Sequence, residues 1–415
     1  MEPHALSTIV QKFGGSSVAD AERIRRCAQR AYDARKAGND VVVVVSAMGK
    51  STDRLIELAS EISPHPPKRE MDQLLAAGEQ VSIALTAMAL HELGQEAVSL
   101  TGPQCGLRTD AAYTKARIAS IDRARIESHL ARNRIVVVAG FQGVTDDGDV
   151  TTLGRGGSDT TAVALAAALD ADVCDIFTDV DGVYTADPRL VPKARKLDKV
   201  SYEEMFELAA LGAKVMASRA IFLGMKFNVP IHVRHAMLPD AGTLITQESP
   251  DMEQNVVTGV ALKTNVGRVT LTDLPSTPDL QGRIFGAIAT ANILVDDIIQ
   301  NPPMDGRTRV SFTMDHADLA DVRPVLDRIL AELGGGEVKI DVGLCRVSAV
   351  GVGMRTQTGV AARMFHSLAN AEGGPVPIEN ITTSEIKIAC IIPKEDGERA
   401  LKAVHDEFHL APNGA

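Results

Sequence analysis

Short runs of β-branched residues alternate with longer helical segments through the first half of this chain. Val41–Ser46 and Ile135–Phe141 are almost wholly apolar, which is typical of strands buried on both faces. Asp20–Ala37 and Gln73–Leu93 have the length and composition of helices. This alternation predicts an α/β fold, in which helices cover both faces of a mostly parallel sheet.

The same pattern predicts the remaining elements of the first domain. They are strands at Thr8–Phe13, Ala97–Leu100, Asp172–Thr178 and Val229–Val233, a helix at Asp159–Leu169, and a helix pair within Tyr202–Gly224. We expect Val229–Val233 to be the last strand of this domain. Leu238–Asn255 is rich in turn-forming and polar residues, so we place the domain boundary there.

Length and composition exclude several functional classes. A chain of 415 residues is too long for one core, so two or three domains are expected. The net charge of -11 argues against non-specific binding to nucleic acid. No signal segment is visible and the apolar runs are too short to span a membrane, so we expect a cytoplasmic protein. The cysteines are expected to be reduced core thiols: Cys27, Cys105, Cys174, Cys345 and Cys390.

The first motif that could carry chemistry is Lys12–Ser17, between a predicted strand and a predicted helix. Gly14 and Gly15 would let the backbone approach phosphate oxygens, and Lys12 would add a positive charge. The spacing is not that of a P-loop. On spacing alone, an ordinary glycine turn explains the motif equally well.

A second glycine-rich motif, Thr151–Thr161, also precedes a predicted helix. Arg155 could hold a carboxylate with two parallel hydrogen bonds. Asp159 could cap the helix, and it could also pair with Lys12. An arginine among three glycines is harder to explain as structure than Asp159 is.

The third motif runs from Thr178 to Tyr184 and continues to Asp187 and Arg189, just after a predicted strand. Ligands of α/β sheets bind at this end of the strands. A plain turn explains the acidic and glycine residues as well. The run lacks the later ligands of a calcium loop, so we assign no metal site to it.

Three further residues are weaker candidates. Glu79 lies in an apolar helical stretch, where a lone glutamate is usually on the solvated face but could bind a substrate ammonium group. Ser46 follows a buried strand, and Thr52 lies close behind it. No histidine spacing indicates catalysis or metal binding.

The last third of the chain contains a weak internal repeat. Gly282–Phe285 recurs as Ala362–Phe365, and strands are expected to begin at Arg268 and at Arg346. A repeat of this kind predicts two βαββαβ modules packed side by side. Gly334–Gly336 would supply a flexible break between them.

Together and in this order, the three motifs resemble those of aspartate kinases, members of the amino-acid kinase superfamily. The resemblance runs from Val10 to about Leu410. It is strongest to the shorter bacterial form with tandem ACT domains and no fused homoserine dehydrogenase. It implies an amino-acid kinase fold at residues 1–245, followed by ACT-type modules at 256–336 and 337–415.

The resemblance implies ATP-dependent phosphorylation of the β-carboxylate of L-aspartate, the first step of lysine, threonine and methionine biosynthesis. Lys12 and Asp159 would be catalytic. The implied substrate residues are Ser46, Thr52, Glu79, Arg155, Gly156, Gly157 and Ser158. The implied ATP residues are Lys12, Gly14, Gly15, Ser16, Thr178, Asp179, Tyr184, Asp187, Arg189 and Lys214. Mg²⁺ would arrive with ATP.

The resemblance also implies lysine or threonine effectors that bind between subunits, in a homodimer or an α2β2 oligomer. The implied effector residues are Ser276, Gln300, Asn301, Val360, Ile378, Ser384 and Glu385. Several positions depart from the family pattern, because Ser276 replaces an acidic residue, Thr358 replaces a proline and Pro377 lies where asparagine is common. We therefore predict retuned feedback, with ordinary family drift as the alternative. Met252 could be an internal start or a plain internal residue.

Two other functions remain open from the sequence. A catalytically silent amino-acid sensor would retain the fold but is expected to have lost Lys12, Arg155 or Asp159, and all three are present. A sister kinase acting on glutamate or N-acetylglutamate is disfavoured by Glu79 and by the tandem modules. No GxGxxG motif follows the first strand, which disfavours a nicotinamide dehydrogenase.

Overall fold

The computed structural model describes residues 7–212, 215–249, 252 and 255–412. It forms two compact units. In the described ranges, the first contains residues 7–184, 196–210 and 215–249, and the second contains residues 185–195, 211–212 and 255–412.

The first unit contains twelve of the described strands and eight of the described helices. The strands are β1 (Thr8–Phe13), β2 (Asp40–Val45), β3 (Ala97–Leu100), β4 (Leu107–Thr109), β5 (Ile118–Ile121), β6 (Ile135–Ala139), β7 (Gln142–Val144), β8 (Val150–Thr152), β9 (Val173–Thr178), β10 (Lys199–Ser201), β11 (Ile231–His235) and β12 (Thr243–Thr246). The helices are α1 (Ala21–Lys36), α2 (Ser51–Ile62), α3 (Lys68–Leu75), α4 (Ala77–Glu92), α5 (Ala124–Leu130), α6 (Gly157–Ala168), α7 (Tyr202–Ala210) and α8 (Ser218–Phe227).

An eight-stranded sheet, ordered β10-β12-β11-β9-β1-β2-β6-β3, forms the centre of this unit. From β11 to β3 every neighbouring pair is parallel, and Lys12 of β1 is in register with Val44 and Ile176 on its two sides. Val41–Val45 is fully buried, because helices cover both faces. The predicted parallel sheet is confirmed, and β1, β2, β6 and β9 all end at one edge.

Two features of this unit differ from the sequence prediction. Strand β11 is not the last, because β12 follows it inside the segment that we expected to be a domain boundary, and β12 pairs antiparallel with β11. A four-stranded sheet, ordered β5-β4-β7-β8, was also missed. Its strands have only three or four residues, too few for hydrophobic periodicity to show.

One helical stretch, Lys68–Glu92, is long and apolar enough to cross a membrane by length and composition alone. Half of its apolar window is buried inside the first unit. Its second part, α4, packs against α1, β3 and β6. This packing is typical of a core helix.

Within its described residues, the second unit contains a six-stranded antiparallel sheet and four α-helices. Its strands are β13 (Gly259–Pro275), β14 (Asp296–Gln300), β15 (Arg307–Asp315), β16 (Glu337–Val350), β17 (Asn380–Ser384) and β18 (Lys387–Pro393), in the order β14-β15-β13-β16-β18-β17. Its helices are α9 (Leu280–Thr290), α10 (Leu319–Leu333), α11 (Val360–Ala369) and α12 (Gly397–Glu407).

The two longest strands of this sheet link its halves. Gly259–Lys263 at the start of β13 pairs with the end of β16, whereas the later part of β13 pairs with the start of β16. Arg268 and Arg346 therefore lie inside these strands, and the prediction that strands begin there was wrong. The division into modules at 256–336 and 337–415 stays a prediction, and Gly259–Lys263 pairs with the second of these segments.

We expect the aromatic pair at the ends of β1 and β9 to be important for stability. The rings of Phe13 and Phe177 stack with centroids 4.8 Å apart, and Phe177 is 1% exposed. Phe177→Ala should lower the free energy of unfolding by about 3–5 kcal/mol in urea denaturation. Phe227→Ala is the matched control, because Phe227 is 53% exposed and its loss should cost far less. Equal losses in both variants would contradict the assignment.

Candidate active site

The loops after β1 and β2 touch at the carboxyl edge of the sheet. The Gly49 N–H donates to the Gly15 carbonyl at 2.9 Å, and the Gly14 N–H donates to the Phe177 carbonyl at 3.3 Å. A Cβ on Gly15 would lie 2.9 Å from the Ala47 carbonyl oxygen. Glycine is therefore required here by the close approach of the two loops, which leaves a narrow backbone-lined corner beside Lys12.

Lys12 and Asp159 form an ion pair in this corner. The Lys12 Nζ lies 2.5 Å from Asp159 Oδ1, and the two side chains are only 11% and 10% exposed. The other carboxylate oxygen of Asp159 accepts from the Ala217 N–H at 3.3 Å. Gly156 is the N-cap of α6, so Asp159 in its first turn is not the capping residue. The structure thus favours the pairing role over the capping role.

The glycine-rich loop before α6 is tightly packed. Gly156 has φ +69°, and a Cβ there would lie 2.3 Å from the Ala217 Cβ. A Cβ on Gly157 would lie 2.7 Å from the Phe141 ring. Ser158 is buried, whereas Arg155 is exposed and is not ion-paired in the part of the chain that the structure describes. The loop is fixed and its arginine is available to an anion.

Glu79 is buried at 3% exposure, so it does not lie on the solvated face of its helix. Its Oε1 accepts from the Ala47 N–H at 3.0 Å, and its Oε2 is buried without a partner among the described residues. Burial raises the pKa of Glu79 to about 7, although the Ala47 N–H opposes this shift. A buried carboxylate with a free oxygen is suited to a cationic group.

Ser46 and Thr52 are half-buried near this carboxylate-bearing helix, one after β2 and the other in the first turn of α2. The Ser46 N–H donates to the Phe13 carbonyl at 3.1 Å, which ties the end of β2 to the end of β1. Ser46 is therefore at the edge where the strands end, and Thr52 follows six residues later along the chain.

Part of the predicted nucleotide motif lies in the first unit. The Thr178 hydroxyl, at the end of β9, donates to Asp179 at 3.1 Å. The Tyr184 hydroxyl donates to Asp181 at 3.0 Å, and Lys196 lies 3.5 Å from the same carboxylate. Lys196 also pairs with Asp240 at 2.6 Å. No sequence motif pointed to Lys196 or Asp240, because their partners are distant along the chain.

The rest of that motif does not lie in the described residues of the first unit. Asp187 and Arg189 belong to the second unit, where the Arg189 guanidinium lies 2.6 Å from the Asp187 carboxylate. Lys214, the remaining predicted nucleotide residue, lies outside the described residues. The roles of these three residues stay predictions.

Sequence reasoning missed Asp72 and Arg219, which hold the segments beside the glycine-rich loop. Asp72 is fully buried and accepts from Thr152 and Thr114. Arg219 donates to the Leu153 carbonyl at 3.2 Å. Asp72 carried a signal that we did not use, since it lies two helical turns before Glu79 on one buried stripe.

The predicted effector residues lie at opposite edges of the second unit's sheet. Gln300 ends the edge strand β14, and Ser384 ends the opposite edge strand β17. Ser276 is exposed and precedes α9, Val360 begins α11, and Ile378 precedes β17. Asn301 directly follows Gln300, and Glu385 directly follows Ser384. Within one chain the structure does not assemble these residues into one site.

The fold and this corner define a class: an α/β phosphotransferase of the amino-acid kinase type, whose chain also forms a second, antiparallel β-sheet unit. A model described as the amino acid kinase family matches residues 7–235, and one described as an ACT domain matches residues 347–408.

Curated relatives narrow the class. An aspartate kinase of Stutzerimonas stutzeri is 49% identical over 99% of both chains, and an aspartokinase of Pseudomonas aeruginosa is 49% identical over 98% of both. A crystal structure of E. coli aspartokinase III in complex with aspartate and ADP superposes with a TM-score of 0.81 at 26% identity, covering 96% of this chain and 99% of that chain. This chain belongs to the aspartokinase family, which confirms the resemblance, the fold class and the assignment as a phosphotransferase.

Glu79 should make stability depend on pH. Its folded pKa is raised, so the folded state binds more protons than the unfolded state between about pH 4.5 and 7. The contribution of Glu79 to the free energy of unfolding therefore falls by roughly 2–3 kcal/mol as the pH rises through that window. Glu79→Gln, neutral at every pH, should lack this fall when urea unfolding is compared at pH 5 and pH 8.

The matched control is Glu92→Gln, on the same helix but exposed. It should keep the pH dependence of the unchanged protein. If Glu79→Gln and Glu92→Gln show the same slope, Glu79 does not titrate in the way its burial implies.

Proposed function

We propose that this chain transfers the γ-phosphoryl group of ATP to the β-carboxylate of L-aspartate, giving 4-phospho-L-aspartate for lysine, threonine and methionine synthesis. The observation that carries the proposal is the buried Lys12–Asp159 pair beside two glycine loops, with Arg155 and Glu79 available. The similarity to an aspartokinase in complex with aspartate and ADP supports this substrate pair. We place the enzyme in the cytoplasm.

The proposed reaction needs alignment and charge neutralisation more than it needs a base. A carboxylate of pKa about 4 is already ionised near neutral pH, so it can attack phosphorus directly. Lys12, oriented by Asp159, would neutralise charge on the transferring group, and the loop N–H groups of Gly14 and Gly15 would cradle its oxygens. Ser46, Thr52 and the backbone of Gly156–Ser158 would position the reacting carboxylate.

We assign the α-carboxylate of aspartate to the cationic Arg155 and its α-amino group to the acidic Glu79. Arg155 would hold the α-carboxylate through its planar guanidinium. The free Oε2 of Glu79 would accept from the ammonium group, which would also remove the cost of leaving that oxygen buried and unpaired. Glutamate, with one more methylene, would place its side-chain carboxylate out of line with the phosphoryl group.

ATP would lie against the end of β9, with Ser16, Thr178, Asp179 and Tyr184 as its contacts in the first unit. Among the described residues, no group of three or more histidine, cysteine or acidic side chains could hold a metal. Mg²⁺ would arrive with ATP and would be held largely by the phosphates and by water.

We further propose that the second unit contains two ACT-type modules that bind lysine or threonine between two copies of the chain. Gln300 and Ser384 lie on opposite edge strands of one sheet. A second copy of the chain could place its own Ser384 edge beside Gln300, and this supports the proposed arrangement. A homodimer or an α2β2 assembly would supply it. We keep the proposed modules at 256–336 and 337–415, and Gly259–Lys263 of the first pairs with the end of β16 in the second.

Substrate choice and the role of Lys12 are tested together. In a coupled ADP-release assay the protein should turn over L-aspartate, with far less activity on glutamate or N-acetylglutamate. Lys12→Ala should lower kcat about 100-fold to 1000-fold, because it removes charge stabilisation of the transition state. Lys36→Ala, a change at an exposed lysine of α1, should leave kcat unchanged.

Each competing function predicts a different outcome of that assay. No turnover with any of the three substrates would support a silent sensor. A preference for glutamate or N-acetylglutamate would assign the chain to a sister kinase.

Feedback should be weak because Ser276 lacks the charge that would face an effector ammonium. One lost charged contact is worth about 1.5–3 kcal/mol, or roughly tenfold to a hundredfold in affinity. Titration with lysine and threonine, alone and together, should show weak inhibition that Ser276→Asp strengthens. Thr277→Asp, one position further, should not. Strong inhibition of the unchanged enzyme below millimolar effector would contradict the prediction.

A further inference from the structure

Asp72 is a buried carboxylate whose hydrogen bonds are all to one strand end and one loop. It lies on α3 at 0% exposure. Its Oδ1 accepts from the Thr152 hydroxyl at 2.6 Å, and its Oδ2 accepts from the N–H groups of Thr152 and Thr114, both at 2.9 Å. No ion pair balances it within the described ranges. Burying such a group is costly, so its partners must be held firmly.

These partners lie on both sides of the loop that contains Arg155. Thr152 ends β8, three residues before Arg155, and its carbonyl accepts from the Ala116 N–H at 2.9 Å. A Cβ on Gly154 would lie 3.1 Å from the Thr114 carbonyl oxygen, so the loop containing Thr114 packs directly against Gly154. Asp72 thereby holds two segments beside Arg155: the end of β8, and the loop containing Thr114 that packs against Gly154.

Asp72 and Glu79 lie on one face of the same helical stretch. The buried positions Asp72, Leu75, Ala76 and Glu79 have the i, i+3, i+4, i+7 spacing of a single helical stripe. Seven residues at 1.5 Å per residue separate the two carboxylates by about 10 Å along the axis. One binds the loop before Arg155, and the other binds the Ala47 N–H after β2.

We propose that Asp72 is a positioning residue that sets the spacing between Arg155 and Glu79. Both carboxylates lie on one buried face of the Lys68–Glu92 helical stretch, where α3 and α4 meet at Ala76. That face therefore links the loop that carries Arg155, which would meet the substrate's α-carboxylate, to Glu79, which would meet its ammonium. The inference rests on the proposed function, and it makes Asp72 a determinant of affinity for the amino acid and not for ATP.

Arg219 anchors the same loop from α8. Its Nη1 donates to the Ala116 carbonyl at 3.0 Å and to the Leu153 carbonyl at 3.2 Å. The loop therefore has a second attachment, which should keep the protein folded when Asp72 is changed.

The first test is a comparison of KM values. Asp72→Ala should raise KM for aspartate tenfold or more while KM for ATP changes less than about threefold. Asp72→Asn should recover most of the affinity, because its oxygen can keep both backbone N–H groups and its amide can donate to the Thr152 hydroxyl. Glu96→Gln, which alters an exposed ion pair with Arg134, is the control and should change neither KM.

The second test asks whether Asp72 acts through Arg155. In an Arg155→Ala background, Asp72→Ala should add less than about threefold to KM for aspartate, because the group it positions is gone. A full effect in that background, or an equal rise in KM for ATP, would overturn the inference.

A milder variant distinguishes the loss of the positioning role from a failure to fold. If thermal unfolding shows that Asp72→Ala is not folded, Thr152→Val carries the test, since it removes only the 2.6 Å hydroxyl bond. It should raise KM for aspartate severalfold and leave KM for ATP unchanged; an unchanged KM for aspartate would overturn the inference. An unchanged enzyme that turns over no aspartate would instead refute the proposed function.

Discussion

The buried Lys12–Asp159 pair is the interaction on which the arrangement of the first unit depends. It joins the end of β1 to the first turn of α6, two segments that are far apart in sequence. Breaking such a pair by removing one partner leaves a buried charge, which typically costs 3–5 kcal/mol. Because both side chains are about 90% buried, the charge cannot simply turn to solvent. The geometry of this corner and the stability of the sheet edge are therefore not separable.

The glycines around this pair explain how two polar loops approach so closely. Gly15 lies against the Ala47 carbonyl, and Gly156 lies against Ala217. Neither position has room for a Cβ, so the tight packing of the loops itself requires glycine at both positions. The sequence showed these motifs clearly because each is local: a strand, two or three glycines and a helix in immediate succession.

What could not be predicted depends on contacts between distant residues. The parallel sheet was predictable, since buried β-branched runs alternate with helices. Strand β12 was not, because its pairing with β11 is set by a turn within a polar segment. The same holds for Asp72, whose hydrogen-bond partners Thr114 and Thr152 lie outside any motif. Glu79 was named as a candidate, but only the structure shows that its carboxylate is buried, with Oε1 hydrogen-bonded and Oε2 without a partner among the described residues.

The second unit also holds a segment that sequence reasoning assigned to the nucleotide site. Thr185 is fully buried there, within 3.1 Å of the His405 ring on α12 and of the Leu410 carbonyl, and its own carbonyl accepts from the Val260 N–H at 2.7 Å. Asp187 and Arg189 follow directly. The segment that carries Asp187 and Arg189 is therefore held by contacts within the second unit, and these join residues more than 70 positions apart. A local motif cannot reveal such contacts, so the sequence pattern grouped the segment with the strand end that precedes it.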